Sequence, residues 1–170
     1  GFFFWPYTPE YTARMARLGD EYGFDMVGIA DTPGNAMDPW VAMTLAASAT
    51  SHVRLATCVT NLVTRHPAIT ASAAASVDVV SGGRAILGVG SGHSGVANVG
   101  GAPTGARALR EGIGFLRTVV RGEPASWRGV STHLPWVRRS VPVYAAASGP
   151  SALRAAGAVA DGAFVNYGLG

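Results

Sequence analysis

The feature that most limits the fold is an alternation: short apolar runs of strand length recur along the chain, with helical patterns between them. The runs fall near residues 2–5, 25–30, 53–59, 85–89, 142–147 and 162–166. They are rich in Val, Ile, Phe or Ala and mostly apolar on both faces, as strands of a covered parallel sheet should be. Between them, Thr8 and Pro9 give an N-cap followed by proline at the first helical position. Tyr11, Met15, Leu18 and Tyr22 then repeat at helical spacing, and Gly23 supplies the stop. Asp38-Pro39 repeats the start signal. Residues 67–79 form an alanine-rich helix ending in Ser81-Gly82-Gly83, residues 106–120 form a helix with a continuous apolar stripe, and residues 150–160 form a fifth. About five βα units and a sixth strand imply a parallel sheet with right-handed crossovers, either doubly wound or closed into a barrel.

Composition supports one α/β domain over residues 1–170. The chain is 48% hydrophobic and 14% charged, enough to bury a sizeable core and unlike a disordered or coiled-coil protein. Residues 122–139 are too long and too rich in Trp, Gly and Pro for a plain turn. They read as an insertion loop, with a short hairpin, that covers the rim or faces a substrate. The net charge of +3 is carried by arginines scattered from Arg14 to Arg154, which is no nucleic-acid footprint. Arg138-Arg139 fits a solvated loop or a contact with an acidic ligand. The lone Cys58 lies in an apolar run and reads as a buried structural thiol in a reducing cytoplasm. No apolar stretch approaches membrane length and the start lacks a signal peptide's basic region, so no membrane partner is expected. The first residue is Gly, which reads as a trimmed start.

Residues 90–95 spell GSGHSG directly after the strand at 85–89, a literal dinucleotide-binding pattern. Its context argues against that reading. The following VANVGGAPTG forbids a helix before about Ala106, and the next carboxylate, Glu111, sits within a helix. The glycines instead let backbone amides approach a ligand at a strand mouth.

In a barrel, chemistry belongs at the C-terminal strand ends. There the chain offers Asp31 and Thr32, Thr60 and Asn61, Ser91 and His93, Ser148 and Gly149, and Asn166 and Tyr167. Singly, Asp31, Ser91 or Ser148 reads equally as a cap or turn residue. Ser148-Gly149-Pro150 offers free backbone N–H groups at a helix start, suited to an anion such as phosphate, and a simple N-cap explains the same residues. His93 is a candidate acid or hydrogen-bond donor, or a loop residue without a role. With Arg65, His66 reads as a brace for its loop. His52 and His133 carry no context. No metal-ligand spacing and no nucleophile elbow occurs, so neither a metallohydrolase nor a serine hydrolase is expected.

The runs YGFDMVGIADT (22–32), RLATCVTNLVTRHPAITASAAASVDVVSGGRAILGVGSG (54–92) and VPVYAAASGPSALRAAGAVADG (141–162) resemble the luciferase-like monooxygenase superfamily. They look most like its deazaflavin-dependent branch, similar to methylenetetrahydromethanopterin reductase. The resemblance implies a (β/α)₈ TIM barrel, of which this chain holds about six of eight units, and a flavin- or deazaflavin-dependent oxidoreductase. It implies hydride transfer between coenzyme F420 and a small organic substrate, with an FMN-dependent monooxygenase as alternative. A non-catalytic flavin-binding protein that completes a shortened barrel by dimerising is a further alternative, and a homodimer is expected.

By the same resemblance Asp31 sits beside the ring, and residues 58–62 form a bulge, often with a cis peptide, that backs it. Cys58, Val59, Thr60 and Asn61 of that bulge bind the cofactor, with Thr60 and Asn61 lining its ring. Ser91, Gly92 and His93 lie near the ring and side chain, and Ala146, Ala147, Ser148 and Gly149 form the phosphate turn. Asp31 or His93 handles the proton. Relatives often carry His at the position of Thr32 and an acid at that of His93, two departures here. A barrel of this kind needs about 250 residues, so strands seven and eight are expected to be missing, leaving apolar edges.

Overall fold

The computed structural model describes residues 1–165. The chain runs β1 (Phe2–Phe4), α1 (Pro9–Glu21), β2 (Met26–Ile29), α2 (Pro39–Ala49), β3 (Arg54–Thr57), β4 (Thr60–Asn61), α3 (Pro67–Ser81) and β5 (Ala85–Gly90). It continues through α4 (Ser94–Ala97), α5 (Ala106–Val119), β6 (Ala125–Trp127), β7 (Val130–Thr132), β8 (Val143–Ala147), α6 (Pro150–Val159) and β9 (Gly162–Val165).

The main sheet is parallel, with strand order β1-β2-β3-β5-β8-β9 and β4 also paired to β5. Chain order never reverses across it. A doubly wound sheet reverses order at a switch point, whereas a barrel winds one way, so the topology is that of an incomplete (β/α) barrel. Side chains alternate across the strands. Leu87 and Val89 pack under the helices with Leu55, Met43, Ile113 and Leu116. Gly88 and Gly90 face inward, and a Cβ on Gly88 would lie 2.5 Å from the Phe164 ring.

Helix starts follow the sequence. Thr8 Oγ1 accepts from Tyr11 N at 3.2 Å, and Asp38 Oδ1 accepts from Trp40 N at 3.0 Å, in each case with proline opening the helix. His66 proves to be a cap as well: Nδ1 accepts from Ala68 N at 3.2 Å. Arg65 beside it pairs with Asp38, joining the starts of α3 and α2. At the other end, Arg84 fans out under the sheet. It donates to Ala47, Thr50, Val53 and Ser81 carbonyls and to the Thr50 hydroxyl, at 2.7–3.0 Å. The guanidinium thereby satisfies carbonyls where α2 and α3 end.

Two expectations need correction. The run 53–59 is not one strand. Leu55 and Ala56 oppose Ala85 and Ile86, but Thr60 and Asn61 oppose Val89 and Gly90, so one extra residue is taken up between them. This bulge contains the cis Cys58–Val59 peptide. Thr57 covers the broken ladder: its hydroxyl donates to Gly88 O at 2.8 Å and accepts from Gly88 N at 2.9 Å. Second, a helix does precede Ala106. The one-turn α4 needs few good helix formers, and Gly95 lets it pack on the Asp31 carbonyl, 2.6 Å from where a Cβ would stand.

Residues 122–139 hold the β6–β7 hairpin, turned by Arg128 and Gly129, both at positive φ. Trp127 stacks near Phe115, with ring centroids 5.6 Å apart. Arg139 reaches back to the Gly82 carbonyl at 2.7 Å. No helix among the described residues is long and apolar enough to cross a membrane.

Candidate active-site cleft

A cleft of about 530 Å³ lies at the C-terminal ends of the strands. Asp31 follows β2, Cys58 and Val59 form the bulge after β3, and Ser91, Gly92 and His93 follow β5. Asn61, Ala146 and Ser148 complete the expected part of the lining.

Its inner wall is built from small residues. A Cβ on Gly90 would stand 2.8 Å from Val59 Cγ2 and 3.3 Å from Ala146 Cβ. Glycine at 90 therefore lets Val59 and Ala146 close over the strand as an apolar wall. A Cβ on Gly28 would similarly stand 2.7 Å from Cys58 Cβ and 2.9 Å from Phe3 Cβ. Cys58 is half-buried rather than wholly in the core. Burial pushes its thiol up, so the sulfur facing the cleft stays protonated.

Asp31 is the buried carboxylate of the site, 9% exposed. Its Oδ2 accepts from Thr60 Oγ1 at 2.6 Å. Thr60 is itself fully buried and stands behind Asp31. Burial pushes the carboxyl above the ordinary range; the Thr60 hydrogen bond and Arg65 oppose that shift, and Asp38 adds to it. Asn61 turns its side chain to the backbone, accepting from Val63 N and Thr64 N at 2.9 Å, and so braces the loop while lining the cleft.

The far rim is the start of α6. Gly149 is its N-cap at φ +98° and makes no side-chain capping bond, and Pro150 opens the helix. The backbone N–H groups that follow carry the positive end of the helix dipole. Gly149 lines an adjoining hollow of about 400 Å³ between α5 and α6, which shares Leu109, Ala146 and Ser148 with the cleft. A flat tricyclic ring needs a wall of small side chains, and a phosphate needs unpaired N–H groups. Val59, Gly90 and Ala146 supply the wall, and the start of α6 adjoins it through Ala146 and Ser148, so the residues fit a phosphate-bearing flavin or deazaflavin.

Two of the expected residues among those described line neither the cleft nor the adjoining hollow: Ala147 is 2% exposed, its side chain turned into the core by strand alternation, and Thr60 is fully buried. His93 is exposed at the mouth, as N-cap of α4 without a capping bond. Thr32 also lines the cleft. Asn166 and Tyr167 lie outside the described residues. The sequence did not single out Phe3, Trp5, Thr104 and Leu109, which line it too. Period-two alternation in β1 carries the signal for Phe3, which is 53% exposed between the better-covered Phe2 and Phe4. No residue of 122–139 lines the cleft.

The family of luciferase-like monooxygenases matches residues 6–169. The 5,10-methylenetetrahydromethanopterin reductase of Methanolobus tindarius is 35% identical over 161 residues, covering 91% of this chain and 49% of the relative. The F420-dependent glucose-6-phosphate dehydrogenase of Beutenbergia cavernae is 35% identical over 189 residues, covering 96% of this chain and 54% of the relative. The solved coenzyme F420-dependent tetrahydromethanopterin reductase from Methanopyrus kandleri superposes with a TM-score of 0.83 at 32% identity, covering 98% of this chain and 55% of that one. The chain thus spans about half the length of the relatives it matches. With the winding of its sheet, the bulge after β3 and the match along nearly its whole length, the chain belongs to the luciferase-like monooxygenase family.

Proposed function

We propose that this chain carries the cofactor-binding part of a coenzyme F420-dependent oxidoreductase acting on a small organic substrate. The observation that carries the reading is a wall of small residues that adjoins a glycine-capped helix start. The names of the similar proteins, F420-dependent in the glucose-6-phosphate dehydrogenase and in the solved reductase, support the choice of deazaflavin.

When bound, the deazaflavin supplies hydride exchange at its C5. The chain's own residues do the rest. Val59, Gly90 and Ala146 seat the ring, while Ser148, Gly149 and the first-turn amides of α6 receive phosphate. Cys58, Asn61, Ser91 and Gly92 complete the enclosure and exclude water. Asp31 is the proton-handling group, because it is buried and its carboxyl is held above the ordinary range. Thr60 holds one of its oxygens and fixes its orientation. His93, exposed at the mouth, meets the substrate first.

Titration of the chain with coenzyme F420 and, separately, FMN tests the reading by the absorbance and fluorescence of each. Saturable binding of F420 in preference to FMN is expected. Preference for FMN would replace the reading with a monooxygenase, and binding of neither would overturn it.

A further inference from the structure

Beside the cleft, and sharing Asp31 with it, lies a second chamber of about 650 Å³. It is walled by the loop after β2 and by the starts of α2 and α3, including Ala36, Asp38, Arg65 and His66. Among the described residues, Asp31 is the one residue that lines both the cleft and this chamber. Asp31 therefore borders both.

The groups around Asp31 divide by side. On the cleft side stand Cys58 and His93. Thr60, on β4, donates to Oδ2, and Gly95 packs on the Asp31 backbone carbonyl. On the chamber side stand the Arg65–Asp38 ion pair and His66. The Arg65–Asp38 pair thus shares the chamber lining with Asp31. Asp38 is anchored as the cap of α2 and His66 as the cap of α3, so this charged wall is held by two helix starts.

We propose that the chamber is the proton entrance of Asp31, and that Arg65 is the positioning residue that sets its charge. A ligand in the cleft covers the part of Asp31 that borders the cleft and leaves the part that borders the chamber to water. The proton then passes between the carboxyl and water in the chamber: the O–H bond of the protonated acid breaks, and a water oxygen takes the proton, or the reverse. Arg65 favours the ionised form, and Asp38 holds Arg65 in place while tempering its effect. The inference deepens the reading of Asp31 as the proton-handling group, but its test needs no cofactor, so the two can fail separately.

The test follows the Asp31 carboxylate by infrared or carbon NMR titration of the whole chain, with the Asp31→Asn spectrum subtracted. Arg65→Gln should move the midpoint to higher pH, Arg65→Lys should restore it towards the wild-type value, and Asp38→Asn, which keeps the α2 cap, should move it to lower pH. Ala36→Trp, which fills the chamber, should raise the midpoint more than Ser91→Trp, which crowds the cleft. Circular dichroism and cooperative unfolding identify the folded variants. If Arg65→Gln fails to fold, the Ala36 and Ser91 pair decides. An Asp31 midpoint unmoved by Arg65→Gln, or moved more by Ser91→Trp than by Ala36→Trp, would overturn the proposal.

Discussion

The Thr57 hydroxyl both donates to and accepts from the backbone of Gly88, at 2.8 and 2.9 Å, and so bridges the ladder where the bulge interrupts it. Thr57→Val keeps the shape but leaves a buried N–H and C=O unpaired. The expected loss is about 2–3 kcal/mol, read as a lower urea midpoint with an unchanged slope. Thr57→Ser keeps the oxygen and should lose about 1 kcal/mol or less.

Arg84 serves five acceptors at the end of the sheet opposite the cleft. Lysine has three donors on a point charge and cannot span that fan. Arg84→Lys should destabilise by about 2 kcal/mol in chemical denaturation while leaving cofactor affinity within about twofold, under half a kcal/mol.

Asp31 and Asp20 should give opposite pH signatures. Because burial raises the Asp31 carboxyl in the folded chain, the folded state holds its proton more tightly, and stability falls as pH rises from the ordinary value of 3.8 through the raised one. Asp31→Asn should therefore melt higher than wild type at neutral pH, with the gap closing below the ordinary value. Thermal melts across pH read this directly.

At Asp20, partial burial pushes the carboxyl up, but the N–H groups of Ser51, Val53 and His52 outweigh it and hold it below the ordinary range. Its contribution is present at neutral pH and lost as pH falls through the lowered value. Asp20→Ala should cost about 2 kcal/mol at pH 7, a deficit that shrinks in acid. The same melts detect it.

The parts of this fold that depend on local rules were legible. Thr8-Pro9 and Asp38-Pro39 marked helix starts because caps act within one turn, and Asp31 stood out as an acid at a strand end. The family resemblance supplied the bulge after β3, which composition alone hides: an apolar run looks the same with or without an extra residue. A contiguous motif ignores strand parity, which turns the Ala147 side chain into the core while Ala146 lines the cleft, and Phe3 and Trp5 were missed because aromatics near a chain start read as core. Arg84 lay inside the quoted S-G-G-R segment, yet its five acceptors come from sequence positions far apart and become neighbours only in the folded chain.

The central claim is that a deazaflavin ring lies on the wall formed by Val59, Gly90 and Ala146. Ala146 faces the cleft, so Ala146→Leu adds bulk there without entering the packed side of the sheet. Calorimetric titration of coenzyme F420 into wild type and Ala146→Leu, both verified as folded, is the most direct measurement. Wild type should bind, and the variant should bind at least about tenfold more weakly, roughly 1.4 kcal/mol. Equal affinity in the two proteins would contradict that claim.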